Sequence, residues 1–260
     1  MDSLAREMDV ATELAWQAGR ITLRYFQGAF EYELKEDDSP VTIADREAEQ
    51  YIRQQLERAF PEDGILGEEF GEKPGTSGRR WVIDPIDGTK SFVQGLPLYG
   101  VLVGLESESA TASPTSIAGA AYIPALDEMV CAALGEGCWW NGDRAAVSTV
   151  SELSAACICY TSSRSFSAQS RESSWSQLSS RARLVRGWGD CYGHLLVATG
   201  RAEAMFDPII NSWDCCALVP ILLEAGGTFT AWNGDTTIYG GDGFSSNGHV
   251  FSEILTVIAN

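Results

Sequence analysis

The chain has 260 residues, of which 45% are hydrophobic, and a formal net charge of −18. This length allows one large domain or two packed halves, and the acidic charge excludes the basic face that nucleic acids and anionic membranes require. The sequence contains no run of about eighteen apolar residues, so no membrane span is predicted, and the first residues lack a signal-peptide pattern. Seven cysteines without a CxxC spacing favour free thiols, so we expect a protein of the reducing cytoplasm.

Apolar residues at three- and four-residue steps predict two amphipathic helices near the start of the chain. The first runs from Leu4 to about Gly28, and the second buries a face over 44–59. A short strand and an acidic segment, 35–40, are expected between them. Thr42 and Asp45 have the spacing of a capping box at the start of the second helix.

Apolar runs divided by polar turns predict an antiparallel sheet after these helices. A short strand ends at Gly67-Glu68-Glu69, and Gly67 is expected to permit the bend that follows. A hairpin rich in Gly, Pro and Ser is expected over 71–78. Further strands are predicted at 81–83, 98–106, 117–123, 128–133 and 137–140, the last ending in an Asn-Gly turn.

The pattern loosens over 145–154, where we place a join between two halves, residues 1–147 and 148–260. The second half contains predicted strands at 156–160, 184–186 and 202–206 and predicted helices at 167–180, after Asp190, and from Ser212 to Gly226. This alternation of helices and sheets predicts an α/β fold, a layered sandwich with mixed and antiparallel sheets.

The richest motif is Asp84-Pro85-Ile86-Asp87-Gly88-Thr89, which follows the apolar run Trp81-Val82-Ile83. Pro85 stiffens the corner, so both carboxylates project from a fixed backbone. Carboxylates this close repel each other, and a divalent cation removes the repulsion. Gly88 lets a ligand approach the backbone, and the N–H groups at the next helix start favour an anion such as phosphate. Either aspartate alone is explained by a turn or a helix cap; the whole string predicts Mg²⁺ and phosphate at one point.

This string resembles the first signature of the inositol monophosphatase superfamily of Mg²⁺-dependent, lithium-sensitive phosphomonoesterases. Gly67-Glu68-Glu69 upstream and Trp213-Asp214 followed by 224–227 downstream agree with the family in the same order, so the resemblance covers essentially the whole chain. It implies the layer order αβαβα and a homodimer.

The resemblance also implies the site residues. Two Mg²⁺ ions are held by Glu68, Asp84, the carbonyl of Ile86, Asp87 and Asp214. Glu68 and the Thr89 hydroxyl orient the attacking water. Asp87, with Asp84 and Asp214, holds the second ion, which receives the leaving oxygen, and the amides of Gly88 and Thr89 bind phosphate. In the family, the segment matching 35–45 closes over the metals and Asp45 lies near a third, weaker ion; we expect capping to be its main role.

The substrate is expected to be a small phosphorylated metabolite. Asp207 falls where inositol phosphatases carry a glutamate that touches sugar hydroxyls, and Asp190 falls where they carry a small neutral residue. A carboxylate added there suits a cationic substrate. The segments around Glu68, Asp84 and Asp190 also resemble the histidinol-phosphate phosphatases of the superfamily, so we expect Asp190 and Asp207 to read the cationic end, beside Trp188 or Asn211.

Alternatives remain open at this point. Asp190 can instead cap its helix. Inositol monophosphatase is the second enzymatic hypothesis, ahead of nucleotide 3'-phosphatase and sugar bisphosphatase, and a non-catalytic metal-binding protein of the same fold needs only the carboxylates. His194 and His249 are expected to cap or pack, with His194 at most lining the pocket.

Overall fold

The computed structural model describes residues 3–28, 32–34, 40–107 and 115–258. Its helices are α1 (Ala5–Thr22), α2 (Ile43–Ala59), α3 (Thr89–Val93), α4 (Ser163–Ala168), α5 (Glu172–Arg181), α6 (Asp190–Ala198), α7 (Ser212–Cys215), α8 (Leu218–Glu224) and α9 (Phe251–Ile258). Its strands are β1 (Tyr32–Leu34), β2 (Pro40–Thr42), β3 (Gly64–Gly67), β4 (Gly71–Lys73), β5 (Arg79–Asp87), β6 (Gly100–Ser107), β7 (Thr115–Ile123), β8 (Glu128–Ala133), β9 (Gly137–Trp140), β10 (Asp143–Arg144), β11 (Cys157–Tyr160), β12 (Leu184–Arg186), β13 (Ala204–Asp207), β14 (Thr228–Thr230) and β15 (Gly243–Ser246).

The strands form two large sheets and a small ribbon of β1 and β2. The eight-stranded sheet has the order β10-β9-β8-β7-β6-β5-β3-β4, and within it β3 pairs with β5 in parallel while the other pairs are antiparallel. The five-stranded sheet has the order β12-β11-β13-β15-β14, with β11 parallel to both its neighbours. Both large sheets are therefore mixed.

Apolar side chains stack these elements in five layers. Helices α1 and α2 cover one face of the larger sheet, where Leu14 and Ile52 are buried against Trp81. Helices α6 and α8 lie between the two sheets, and α5 and α9 cover the outer face of the smaller sheet, burying Leu178 and Ile254. This arrangement confirms the predicted αβαβα sandwich with mixed and antiparallel strands.

Four predicted elements differ in detail. Helix α1 ends at Thr22 and is followed by turns up to residue 28. The helix predicted over 167–180 is two helices, because Ser170 has a left-handed φ of 55° between α4 and α5. The helix predicted from Ser212 is interrupted before α8, because Pro220 has no N–H to donate to the carbonyl four residues earlier. The hairpin expected over 71–78 is wrong: β3 and β4 pair across a turn at 68–70.

The acidic segment at 35–39 lies outside the described residues. The boundary between residues 147 and 148 stays a prediction; it falls in the connection between β10 and β11, where the N–H of Val147 donates to the carbonyl of Ala225. Among the described residues, no helix combines the length and apolar character that crossing a membrane demands.

Candidate active site

The end of β5 forms a corner that carries two buried carboxylates. The pairing of β5 with β6 shifts register between Asp84 and Asp87, so both side chains leave the strand close together. The N–H of Ile86 donates to Oδ1 of Asp84 at 3.0 Å, and the N–H of Cys191 donates to Oδ2 of Asp87. Backbone donors from two elements therefore fix the direction of both carboxylates.

Helix α7 brings a third carboxylate, Asp214, to the same place. Oδ2 of Asp214 accepts the N–H of Asn211 at 2.7 Å in a capping box, so Asn211 helps to orient the Asp214 carboxylate. The link between α7 and α8 lies directly on the sheet, because a Cβ on Gly119 would be 2.2 Å from the carbonyl oxygen of Ala217. Gly104, which is paired with Gly119 across β6 and β7, also lies against this link, since a Cβ there would be 2.7 Å from the nitrogen of Ala217. Two glycines without side chains thus allow the approach that positions Asp214.

Asp84, Asp87 and Asp214, which we call the metal corner, each offer a carboxylate oxygen within 4.8 Å of the others. Burial first, and then the repulsion of neighbouring acids, raises the pKa of Asp84 and of Asp87 well above the ordinary value. Burial also raises the pKa of Asp214, to about 7. A set of crowded oxygen donors with unrelieved negative charge fits a hard divalent cation such as Mg²⁺.

Glu68 lies in the turn between β3 and β4, beside the metal corner. Its N–H donates to the carbonyl of Ile83 at 3.2 Å, and its charge is among the causes that raise the pKa of Asp84 and Asp214. The turn is held by Glu49 of α2, whose buried carboxylate accepts the N–H of Glu69 at 2.8 Å. Gly67 is needed because a Cβ there would lie 1.9 Å from Oε1 of Glu49, not because of a left-handed backbone.

The residues after β5 provide the other groups expected at the site. Gly88 has a φ of 80°, which favours glycine, and begins α3. The Thr89 hydroxyl donates to the carbonyl of Ile86 at 2.9 Å. The helix start and the carbonyl therefore lie on the same corner as Asp84 and Asp87.

Asp45 has the predicted capping role. Its Oδ2 accepts the N–H of Thr42 at 2.8 Å as well as the Thr42 hydroxyl, while the N–H of Ala44 donates to the Thr42 hydroxyl. Its Oδ1 is buried and has no hydrogen-bond partner among the described residues. Burial raises the pKa of Asp45 to about 7, with Glu69 and Glu68 adding to the shift. One oxygen of Asp45 therefore caps α2 and the other is left for a further ligand.

Asp190 and Asp207, which we call the acidic pair, lie beside the metal corner. Asp190 begins α6 with a left-handed φ of 55°, and its N–H donates to Oγ1 of Thr161 at 2.9 Å. Its Oδ2 lies 3.0 Å from where a Cβ on Gly88 would stand. Burial, then Asp207 and Asp214, raises the pKa of Asp190 to about 7, whereas Lys90 lowers it. Asp190 therefore faces the site and is not simply a helix cap.

Asp207 ends β13 and is buried, with its Oδ2 3.7 Å from Nε2 of His194. His194 is buried as predicted, and its Nδ1 lies 2.8 Å from Oγ of Ser245. Trp188, in the connection before α6, is 37% exposed. Asp207 is thus near enough for its charge to raise the pKa of Asp190, and His194 lies behind Asp207.

Sequence reasoning missed the supporting residues. Glu49 shows the i,i+4 spacing of an ion pair with Arg53, which it forms at 2.7 Å, but its second partner is a turn twenty residues later. Gly104 and Gly119 lie within apolar strands, where a glycine signals close approach of another backbone. No local signal links His194 to Ser245, because the contact spans two layers.

Known proteins resemble this chain over nearly its whole length. The Inositol monophosphatase family model matches residues 4–258. A protein of Chlorobaculum parvum named histidinol-phosphatase is 44% identical over 256 residues, covering 98% of this chain and 97% of that protein. A histidinol-phosphatase of Mycobacterium tuberculosis is 35% identical over 257 residues, covering 96% of each.

The fold agrees equally well with a solved structure. The crystal structure of the extragenic suppressor protein suhB from Bartonella henselae superposes with a TM-score of 0.90 at 27% identity, covering 97% of this chain and 98% of that one. With a family match over nearly its whole length, this chain belongs to the inositol monophosphatase family.

Proposed function

We propose that this chain is a Mg²⁺-dependent phosphatase that hydrolyses histidinol phosphate to histidinol and phosphate. Membership of the family makes the chain a phosphoric monoester hydrolase. The observation that supports the choice of substrate is the acidic pair, since two carboxylates near the metal corner, close enough for the charge of one to raise the pKa of the other, suit a phosphate ester with a cationic end. The relatives named histidinol-phosphatase support the same choice.

Two Mg²⁺ ions are proposed to bind Glu68, Asp84, the carbonyl of Ile86, Asp87 and Asp214, with a third near the unpartnered oxygen of Asp45. When bound, such ions supply a water that is nucleophilic at neutral pH and neutralise charge on the phosphate and the departing oxygen. The backbone donors on Asp84, Asp87 and Asp214 each leave a carboxylate lone pair available for a metal.

Glu68 and Thr89 are proposed to receive the attacking water. Because the Thr89 hydroxyl donates its hydrogen bond to the carbonyl of Ile86, its lone pairs are available to accept a hydrogen bond from the water and so orient it. The Glu68 carboxylate, carried on the turn that Glu49 holds, takes the proton of that water. The amides of Gly88 and Thr89, at the start of α3, bind the phosphate.

The acidic pair is proposed to bind the amine and imidazole of histidinol phosphate. The mutual repulsion of Asp190 and Asp207 falls when a cation lies between them, and each hydrogen bond to that cation is charge-assisted. Trp188 and Asn211 are proposed to border this part of the site, Trp188 through its exposed ring.

The test is phosphate release with Mg²⁺ from histidinol phosphate, inositol 1-phosphate and adenosine 3',5'-bisphosphate, measured side by side. We expect kcat/KM for histidinol phosphate to exceed the other two by about a hundredfold, the value of two charge-assisted hydrogen bonds, and EDTA to abolish release. A higher kcat/KM for inositol 1-phosphate would favour the second candidate, which the position of Asp207 supports. Mg²⁺ binding without any release would indicate a non-catalytic protein.

We also propose a lithium-sensitive cytoplasmic homodimer without nucleic-acid or membrane partners. The seven cysteines are free and six of them are buried, which supports a reducing compartment. The net charge of −18 supports the absence of anionic partners. Light scattering and inhibition by LiCl test the dimer and the lithium response.

A further inference from the structure

The side chain behind Asp207 is a buried histidine that the proposed reaction does not use. His194 is 1% exposed, and its ring packs against Phe229 with 5.7 Å between ring centroids. Nδ1 lies 2.8 Å from Oγ of Ser245. Nε2 has no hydrogen-bond partner among the described residues, and it lies 3.7 Å from Oδ2 of Asp207. A buried imidazole nitrogen without a partner is costly, so its direction requires a reason.

The neighbours of the ring select one tautomer. A bare lone pair on Nε2 would repel the Asp207 carboxylate, whereas an N–H there attracts it. With the proton on Nε2, Nδ1 accepts a hydrogen bond, and the Ser245 hydroxyl is the group placed to donate it. Ser245 is fully buried on β15 and pairs with Met205, which precedes Asp207 by two residues on β13. Its hydroxyl therefore holds the imidazole against the end of β13.

The contacts from Ser245 to His194 and from His194 to Asp207 bear on the acidic pair. Asp190 and His194 are one turn apart on α6, so the same helix carries one member of the acidic pair and the support of the other. Asp190 and Asp207 carry like charges when both are ionised, and the charge of Asp207 is among the causes that raise the pKa of Asp190. An N–H on Nε2, 3.7 Å from Oδ2 of Asp207, attracts that oxygen electrostatically from behind, which favours the orientation that directs the other oxygen toward the substrate.

We propose that His194, oriented by Ser245, is a positioning residue that fixes the Asp207 carboxylate for the cationic end of the substrate. The inference rests on the proposed function, since it describes how that site reads its ligand. It predicts an effect on KM for a cationic phosphate ester and none on the chemistry at the metal corner.

Three variants and one control test this role. His194→Leu removes both ring nitrogens, His194→Gln keeps an amide N–H near the position of Nε2, and Ser245→Ala removes the donor to Nδ1. His249→Gln is the matched control, because His249 is the other histidine of the chain and is exposed. The readouts are kcat and KM for histidinol phosphate and for 4-nitrophenyl phosphate, whose leaving group carries no cation, together with the melting temperature.

We expect His194→Leu to raise KM for histidinol phosphate about threefold with kcat unchanged, less than a hydrogen bond to a charged group would give, because Nε2 and Oδ2 are 3.7 Å apart. KM for 4-nitrophenyl phosphate stays constant in all variants. His194→Gln restores most of the lost affinity, Ser245→Ala raises KM about threefold as expected for a neutral bond, and His249→Gln changes nothing.

A uniform rise of KM for both esters in His194→Leu, or no rescue by His194→Gln, would overturn the proposal and leave His194 a packing residue. If His194→Leu does not fold, His194→Gln and Ser245→Ala decide the question. An unchanged KM for histidinol phosphate in both of these variants contradicts the role. If the unaltered protein prefers inositol 1-phosphate, the proposed substrate fails while the role of His194 is still tested, because Asp207 then reads a hydroxyl and the same variants raise KM for inositol 1-phosphate.

Discussion

The metal corner and the acidic pair differ in how the chain holds their aspartate residues. In the metal corner, each of Asp84, Asp87 and Asp214 accepts a backbone N–H, two of them from residues within three positions along the chain. In the acidic pair, the contacts come from side chains of other elements: Thr161 Oγ1 holds the backbone N–H of Asp190, and the His194 ring lies behind Asp207.

This difference separates what is required for chemistry from what selects a substrate. Backbone donors fix a carboxylate whatever the neighbouring side chains are, so the metal corner suits a role common to every member of a phosphatase family. Side-chain supports change with single substitutions, so the acidic pair can alter the substrate without disturbing the metals. Variants of the metal corner should therefore affect every substrate, and variants of the acidic pair should affect a cationic substrate most.

Asp84→Asn should have the largest effect. We expect turnover with Mg²⁺ to fall by about a thousandfold or more for every substrate, because a lost metal carboxylate costs several kcal/mol in the transition state. The melting temperature in EDTA should not fall, since the change removes a buried charge from among like charges. Asp143→Asn, at an exposed position on β10, is the control. Near-normal Mg²⁺-dependent rates in Asp84→Asn would contradict the metal assignment.

Gly119→Ala tests the packing that brings Asp214 to the metal corner. The added methyl would meet the backbone of Ala217 at 2.2 Å, so α7 and α8 must shift. We expect an unfolding free energy lower by about 2 to 3 kcal/mol in urea and weaker Mg²⁺ binding by calorimetry. Gly187→Ala is the control, because the nearest atom to its new methyl is 3.7 Å away. Unchanged Mg²⁺ affinity in Gly119→Ala would show that this approach does not position Asp214.

Asp190→Asn removes charge from the acidic pair and keeps the shape of the side chain. Asparagine tolerates the left-handed φ of 55° at this position, so the start of α6 should be preserved. We expect KM for histidinol phosphate to rise about thirtyfold, or about 2 kcal/mol, with kcat nearly constant. Equal losses for histidinol phosphate and 4-nitrophenyl phosphate would place Asp190 in the common chemistry instead.

Glu49→Gln should have the smallest effect of the four. The amide keeps one acceptor for the turn at 68–70 but loses the charge that binds Arg53 and the N–H of Glu69. We expect kcat to fall by about fivefold, or about 1 kcal/mol, for all substrates, because Glu68 is less firmly held. Glu57→Gln, on the same helix with an exposed ion pair to Lys73, should leave kcat unchanged. A change in KM limited to histidinol phosphate would contradict this role for Glu49.

The fold class and the family could be predicted from the sequence, and both are confirmed. Local rules were sufficient for the capping box of Thr42 and Asp45 and for the corner at Asp84, because each depends on residues a few positions apart. The turn at 68–70 was misplaced because its acceptor, Glu49, lies on a different layer. The break before α8 could have been predicted from Pro220, because a proline cannot donate a helix hydrogen bond, but the helix prediction did not take it into account. The roles of the individual site residues stay predictions until the variants are measured.

The sequence by itself determined which carboxylates stand at strand and helix ends, since a proline, a left-handed glycine and a capping residue act on their immediate neighbours. Only the tertiary structure decided which of those ends meet. Asp214 reaches Asp84 because two strand glycines admit the α7–α8 link, and His194 lies behind Asp207 because α6 packs on the smaller sheet. Such meetings depend on the volume of every side chain between the layers, and no short stretch of sequence contains that information.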